Sequence, residues 1–350
     1  MAEGRLIQPL LLVALALGLD RLVGDPRWCP HPVEVMGWAI TRLRGLAEGW
    51  AGERPWALRL GGGLITLLLV GASGMAGWLL ERLALSQGCR ELGLLMVLLA
   101  LASALAGRSL ALAVEAVLAA LPADPGAPAA ALEPARQQLD WIVGRDTAGL
   151  NRPQILRALA ETASENAVDG LFAPLFWMLV GAGLWSAGGW AGPGPLALAW
   201  GFKAASTLDS MLGYRRGRLR WLGTAGARLD DLLVWLPCRL VTLSLPLAAG
   251  VPPGRWPALV GRALRDGRPD PSPNAGLSQA IYAGVVGVQL GGVNRYGGQL
   301  RSKPLLAAGN PAPDAAAVRR MLRCSARLSW LWLAGTALPG AWVFVTKPLS

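Results

Sequence analysis

Histidine occurs once in this 350-residue chain, at His31, and lysine only at Lys203, Lys303 and Lys347. Cysteine is nearly as scarce. Cys29, Cys89, Cys238 and Cys324 lie far apart with no C-x-x-C pair, so a zinc or iron–sulfur centre lacks the ligands it requires. Any metal is expected to be hard and held by carboxylate and phosphate oxygens, which points to Mg²⁺. Charge is thin as well: 16% of residues are charged against 53% hydrophobic, and mean hydropathy is +0.41. That balance excludes an ordinary soluble domain. The patterns G-x-x-x-x-G-K-[ST], G-x-S-x-G and H-E-x-x-H are absent, so ATP, if used, is not held in a Walker fold.

What the chain does have is apolar runs of bilayer length. Candidate spans cover Leu60 to Leu80, Leu92 to Leu110, Leu171 to Trp185, Leu232 to Ala249 and Leu328 to Val345. A shorter segment, Leu6 to Leu19, reads as an uncleaved span or half-span. The expected fold is all-α, a polytopic membrane helical bundle with polar catalytic loops and short amphipathic helices at one membrane face. It is expected to form one integral membrane domain over residues 1–350: 1–121 mainly scaffold spans, 122–327 polar motif-bearing blocks between spans, 328–350 the final span and tail. The spans Leu60 to Leu80 and Leu92 to Leu110, joined by ERLALSQGCRE, hold no acid in their middles and read as scaffold.

The net charge of +11 is almost wholly arginine. Arginine suits bidentate recognition of phosphate and carboxylate, and it equally serves the positive-inside rule. Because the basic residues are scattered among apolar spans, the lipid bilayer is the expected partner and nucleic acid is not.

The organising stretch runs from Arg136 to Trp177, RQQLDWIVGRDTAGLNRPQILRALAETASENAVDGLFAPLFW. Asn151, with Gln154 three residues on and Pro153 in the first turn, marks a helix start. On a regular helix Ile155, Leu156, Leu159, Ala160, Ala163 and Ala167 share roughly one 140° arc, which is the expected packed face. Glu161, Glu165 and Asp169 fall near roughly 240, 280 and 320°, forming a row away from it. Facing lipid would cost each acid about 2.5–3.5 kcal/mol, so the row is expected to face water, a cation or a substrate. Asn166 sits within it. Before the helix, GRDT at Gly144 to Thr147 offers Arg145 and Asp146 on a turn; turn chemistry alone would also explain it.

Other polar blocks carry candidates with bland alternatives. Asp25 and His31 lie in a Pro-rich loop and could reach a substrate or simply form turns. Lys203 and Arg228 could hold phosphate oxygens, and Asp209, Asp230 and Asp231 a bridging cation. Asp230 and Asp231 equally suit the positive end of a helix. Asp209, set between Leu208 and Met211, lacks that explanation. Ser272 before Pro273 reads as a helix cap, and Asn274 could cap too. Gly287 and Gly291 form a G-x-x-x-G, expected as a close helix contact. The GGVNRYGG turn, Gly291 to Gly298, could offer backbone N–H groups to phosphate. Arg319, Arg320, Arg323 and Arg327 are expected to anchor the last span at the cytoplasmic surface. A count of crossings leaves open whether the PSPNAG block shares a face with the acid row. The D-G at Asp169 is reminiscent of CDP-alcohol phosphotransferases, but the further spaced aspartates which that chemistry needs are missing.

Taken in order, GDPRWCPHPVEVMG, WIVGRDTAGL, ETASENAVDGLFAPLFW, TLDSMLGY, ARLDDLLVWLPCRL, PSPNAG and GVQLGGVNRYGG resemble the adenosylcobinamide-phosphate synthase family of cobalamin biosynthesis, the CobD/CbiB membrane proteins. Ser206 departs from the pattern, where asparagine is expected before TLDSM. The resemblance implies an enzyme of the bacterial cytoplasmic (inner) membrane that joins adenosylcobyric acid to (R)-1-aminopropan-2-ol or its O-phosphate, using ATP and Mg²⁺. It is compatible with a homo-oligomer and with other late cobalamin-pathway membrane enzymes as partners. In its terms Glu165, Asp169 and Asp209, with Asp230 and Asp231, hold the metal, and Glu161 positions or deprotonates the amine. Lys203, Arg145 and Arg228 neutralise phosphate, while Asn166, Asn274 and Asn294 orient amide or phosphate groups. Asp25, His31, Asp146, Tyr214, Ser272 and Tyr296 complete the expected substrate contacts. The alternative is a non-catalytic corrinoid carrier or membrane scaffold, with a sensory or accessory membrane protein a third reading.

Overall fold

A computed structural model describes residues 3–24, 31–86, 90–124, 126–189 and 191–337. Fourteen α-helices are described: α1 (Glu3–Leu22), α2 (Pro32–Ala51), α3 (Pro55–Leu85), α4 (Arg90–Ala102), α5 (Gly107–Ala120), α6 (Glu133–Asp140), α7 (Arg152–Ala167), α8 (Ala173–Ser186), α9 (Pro195–Leu212), α10 (Leu219–Leu222), α11 (Thr224–Ala248), α12 (Trp256–Gly267), α13 (Ala275–Val286) and α14 (Ala315–Ala337). Between α13 and α14 lies an antiparallel hairpin, β1 (Leu290–Tyr296) and β2 (Gln299–Leu306). Four helical runs are long and apolar enough to cross a membrane: Pro55–Leu85, Arg90–Ala120, Arg152–Ser186 and Thr224–Ala248. The all-α polytopic membrane bundle expected from composition is what folds, with this hairpin as its one sheet among the described residues.

The expected spans shift in detail. The first apolar segment lies within a 20-residue helix, Glu3–Leu22, which is not one of these four runs. The run Arg90–Ala120 is interrupted by turns between α4 and α5. The last expected span, Leu328 to Val345, extends past the described residues, and Arg319, Arg320, Arg323 and Arg327 lie inside α14, ahead of that span.

The chain divides into two compact units, each assembled from segments distant in sequence. Unit 1 comprises Met1–Ala106, Ala173–Val234 and Trp332–Ser350. Its core is α3 laid against α2, α4, α9 and α10, with Met36, Ile40, Leu58, Ile65, Leu69, Leu208 and Leu222 buried together. The opposite side of α3 exposes Leu60, Leu64, Leu67, Leu68, Met75 and Leu79, as a helix solvated by lipid does. A Cβ added at Gly77 would lie 2.8 Å from the Ala197 Cα, so only glycine lets α3 approach the start of α9 this closely. That approach delivers Glu81, fully buried, to the N-terminus of α9, where its carboxylate accepts the backbone N–H groups of Gly194 (3.0 Å), Leu196 (2.6 Å) and Ala197 (3.3 Å). A helix start leaves such donors orphaned and carries a partial positive charge. The stretch expected to be a simple connecting turn thus begins with an acid that caps another helix.

Unit 2 comprises Gly107–Phe172 and Trp235–Leu331. Helix α7 packs against α5, α6, α13 and β1, and α12 lies along α13. The capping box at Asn151 and Gln154 forms as the sequence predicts, with bonds of 3.0 and 2.9 Å. The helix beyond it is not amphipathic in the expected sense: Ala158, Glu161, Thr162 and Ser164 are buried along with the apolar arc. Val168–Phe172 then forms a π turn, which has more residues per turn than an α-helix, so the regular four-residue row does not carry through to Asp169. The G-x-x-x-G reading also fails. Gly287 is the left-handed cap of α13 at φ 76°, and Gly291 lies in β1 at φ 84°, where a Cβ would collide with the Pro304 carbonyl oxygen at 1.9 Å. Strand contact, not helix contact, explains that glycine.

Candidate functional site

In unit 2 the acid row of α7 meets Arg157 of the same helix and cations contributed from elsewhere in the chain. Glu161 is fully buried. Its Oε2 lies 2.5 Å from Arg145 Nη2, its Oε1 accepts the Gly291 N–H at 2.8 Å, and Arg157 Nε stands 3.9 Å away. Asn294 on β1 ties both arginines together, its Oδ1 accepting from Arg145 (2.8 Å) and Arg157 (3.1 Å). Arg157 also donates to the Val293 carbonyl. With both oxygens engaged, Glu161 positions arginines; it is not placed to deprotonate an amine as expected.

One turn further along, half-buried Glu165 accepts Gln279 Nε2 of α13 at 2.7 Å. Lys303 of β2 stands 3.6 Å from Asp270. Burial alone would push its ammonium down, but the charges of Glu165 and Asp270 outweigh this and hold it above the ordinary lysine value. Gln279 lies on α13 shortly after the PSPNAG block, so the block open to either face in the crossing count is brought against the acid row. Ser272 Oγ accepts the N–H groups of Asn274 and Ala275, each at 3.3 Å, a turn that leads into α13 and not the expected helix cap, since the helix begins at Ala275. Asn274 holds the N-cap position of α13 without a side-chain capping bond; its Oδ1 instead accepts Arg239 Nη1 at 2.6 Å.

The glycine turn is already occupied. Gly297 and Gly298 have φ of 55° and 80°, the two-residue hairpin loop that needs positive φ at both positions. Their N–H groups donate to Asp146 at 2.9 and 2.7 Å, and the Asp146 N–H donates to the Arg295 carbonyl at 2.9 Å. These bonds hold the Asp146 carboxyl below its ordinary value. The loop grips an internal carboxylate rather than offering its amides to phosphate. Tyr296 lies under the Arg301 guanidinium. Asn166 is exposed.

In unit 1, Lys203 and Asp209 lie on α9, and Arg228, Asp230 and Asp231 on α11. A close approach at Gly226, whose Cβ would sit 3.0 Å from the Leu208 Cβ, brings the two helices together, and the charges of Asp209, Asp231 and Lys203 all act on Asp230. Asp230 Oδ1 is buried with no hydrogen-bond partner. Such an orphaned acceptor suits a cation. Among the described residues no group of three or more histidine, cysteine, aspartate or glutamate side chains is arranged to hold a metal by itself, but Mg²⁺ commonly uses one or two carboxylates together with phosphate oxygens. Arg228 and Tyr214 are exposed, the latter beneath Arg216. His31 caps α2, its Nδ1 accepting the Val33 N–H at 3.3 Å. Asp25 lies outside the described residues.

Sequence reasoning missed Arg157, Asp270, Gln279 and Lys303. Lys303 is one of three lysines, and that scarcity was the available signal; the other three carry no mark until the hairpin and α13 close on α7.

The family model described as CobD/CbiB protein matches residues 13–325. The cobalamin biosynthesis protein CobD of Synechocystis is 42% identical over 93% of this chain and 90% of its own length. CobD of Pelobacter propionicus is 39% identical over 89% of both chains, and CbiB of Salmonella arizonae is 40% identical over 84% of this chain and 86% of its own. No solved structure matches. The ordered motifs, the membrane helices and these near-full-length similarities agree: the chain belongs to the CobD/CbiB family of cobalamin biosynthesis proteins.

Proposed function

We propose that this membrane protein is an ATP-dependent amide ligase that joins adenosylcobyric acid to (R)-1-aminopropan-2-ol or its O-phosphate, working with Mg²⁺ in the bacterial cytoplasmic membrane. The observation that carries the reading is the acid row of α7 ringed by Arg145, Arg157 and Lys303 in a chain otherwise poor in charge. Joining a carboxylate to an amine gathers several anions and a cation at one place, which calls for fixed charges of both signs.

In unit 2, Glu161 and Asn294 hold Arg145 in one orientation, so its remaining donors are pre-organised for an acyl or phosphate oxygen. Gln279 fixes Glu165 through Oε2, leaving Oε1 to accept the proton that the amine loses. Lys303 supplies positive charge beside it. In unit 1, one or two of the carboxylates Asp209, Asp230 and Asp231 would hold Mg²⁺ together with phosphate oxygens, and Lys203 would meet phosphate. When bound, ATP would supply the phosphoryl group that makes a carboxylate a competent acyl donor, and Mg²⁺ would neutralise its phosphate oxygens.

The test uses the purified protein in detergent. Amide product, followed by mass spectrometry, is expected to require ATP, to be lost in Glu165→Ala, and to be strongly reduced in Asp209→Ala with a higher Mg²⁺ requirement. Product formed without ATP, or wild-type turnover in both variants, overturns the reading. A carrier or scaffold would bind corrinoid and form no product.

A further inference from the structure

Unit 2 contains a second feature, a cleft of about 510 Å³ lined by Arg239 of α11, Leu264 and Arg265 of α12, Arg268 just beyond it, and Pro273 and Leu277 around the start of α13. The volume lies within the range of small-molecule sites, roughly 300–1,000 Å³. Three of its lining residues, Arg239, Arg265 and Arg268, are cationic and none is acidic.

The acids nearest in sequence are committed elsewhere. Asp266 pairs with Arg262 at 3.4 Å and accepts the Ala307 N–H at 2.9 Å. Asp270 pairs with Lys303 at 3.6 Å and accepts the Ser272 N–H at 3.0 Å. Arg239 is fixed in place: it donates to Asn274 Oδ1 (2.6 Å) and to the carbonyls of Pro273 (2.9 Å) and Trp235 (3.2 Å), and lies 4.6 Å from the Trp235 ring centroid. A guanidinium has five N–H donors, so Arg239 keeps unused ones while its orientation is set. Arg265 and Arg268 can swing toward the same space. Like charges gathered round one cleft repel until an anion enters, and the arginine fork matches phosphate oxygens two at a time. Leu264 and Leu277 add an apolar wall.

We propose that this cleft binds the phosphate group of a phosphate ester, held by Arg239, Arg265 and Arg268 against an apolar wall. The ester has two available sources, a soluble molecule or the headgroup of an anionic phospholipid, since α11 is long and apolar enough to cross a bilayer and basic pockets beside such helices take lipid headgroups. The site does not depend on the ligase reading.

The experiment compares the full-length protein with the double variant Arg265→Gln/Arg268→Gln, chosen because both side chains are exposed, whereas Arg239 also holds Asn274. In phosphatidylcholine nanodiscs, binding of inorganic pyrophosphate is measured by calorimetry; in detergent, retention of phosphatidylglycerol is measured by native mass spectrometry. At least a 10-fold loss of pyrophosphate affinity in the double variant supports a soluble ester, and the same loss of phosphatidylglycerol retention supports a lipid headgroup. If the wild type takes up neither probe, or the double variant binds both as the wild type does, the cleft is not a phosphate site. Thermal unfolding of the variant confirms that it is folded, and Arg239→Lys, which keeps the charge but not the fork, is expected to weaken the same probe.

Discussion

Glu161 and Arg145 form a buried ion pair across sixteen residues of sequence, with Glu161 fully inaccessible and the Arg145 side chain 8% exposed. Glu161 is also tied to β1 through Gly291, so one carboxylate joins α7, the loop before it and the hairpin. Removing one member of a buried pair leaves the other charge uncompensated and costs about 3–5 kcal/mol. Glu161→Ala is therefore expected to lower the unfolding midpoint sharply and Glu161→Gln less so, because the amide still accepts a hydrogen bond. Thermal unfolding in detergent measures both. A Glu161→Ala variant as stable as wild type would show that the pair contributes nothing to the fold.

Lys303 sits differently, partly open to solvent and facing Glu165 and Asp270. If it supplies positive charge to the reaction, Lys303→Gln is expected to lower kcat roughly 10²-fold, the usual scale for losing one electrostatic contact to a transition state. Some stability is expected to be lost as well, because Glu165 and Asp270 lose the charge that faces them. Steady-state kinetics separates this from a structural lysine, whose loss would reduce the amount of folded protein and leave the turnover of the folded fraction unchanged.

The helices and the membrane class were legible because hydropathy and caps are local signals: Asn151 and Gln154 mark the start of α7 within four residues. The surroundings of the acid row were not. Periodicity places Glu161 on a side away from the apolar arc, and burial of that side by β1 and Arg145 is a long-range event that no helical wheel contains. The π turn at Val168–Phe172 likewise breaks the constant rotation on which the position of Asp169 relied. The hairpin was hidden because GGVNRYGG reads equally as a loop until its partner, Gln299–Leu306, pairs with it. Lys203, Asp209, Asp230 and Asp231 were legible as acids and a lysine in a polar block, while the orphaned oxygen of Asp230 is visible only once α9 and α11 meet.

Glu81 offers a test of structure apart from chemistry. Three N–H groups at the start of α9 depend on its carboxylate, and each buried donor left without a partner costs about 1–3 kcal/mol. Glu81→Leu keeps the volume and removes the acceptor, so a clear fall in the unfolding midpoint is expected. Glu81→Gln, which retains one acceptor oxygen, is expected to fall between. Equal midpoints for Glu81→Leu and wild type would mean that the α9 start finds other partners.

The hairpin turn should respond to acid. The N–H groups of Gly298 and Gly297 hold the Asp146 carboxyl below its ordinary value in the folded protein. A depressed carboxylate contributes stability that is fully present above its unfolded value, near about 3.9, and is lost as pH falls through the lower folded value. Asp146→Asn removes the charge at every pH. The difference in unfolding midpoint between wild type and Asp146→Asn is therefore expected to stay constant from pH 7 to about 5 and to shrink as the pH drops below about 4. Midpoints measured across that range check it, and a difference that grows on acidification would mean that the turn prefers the protonated acid.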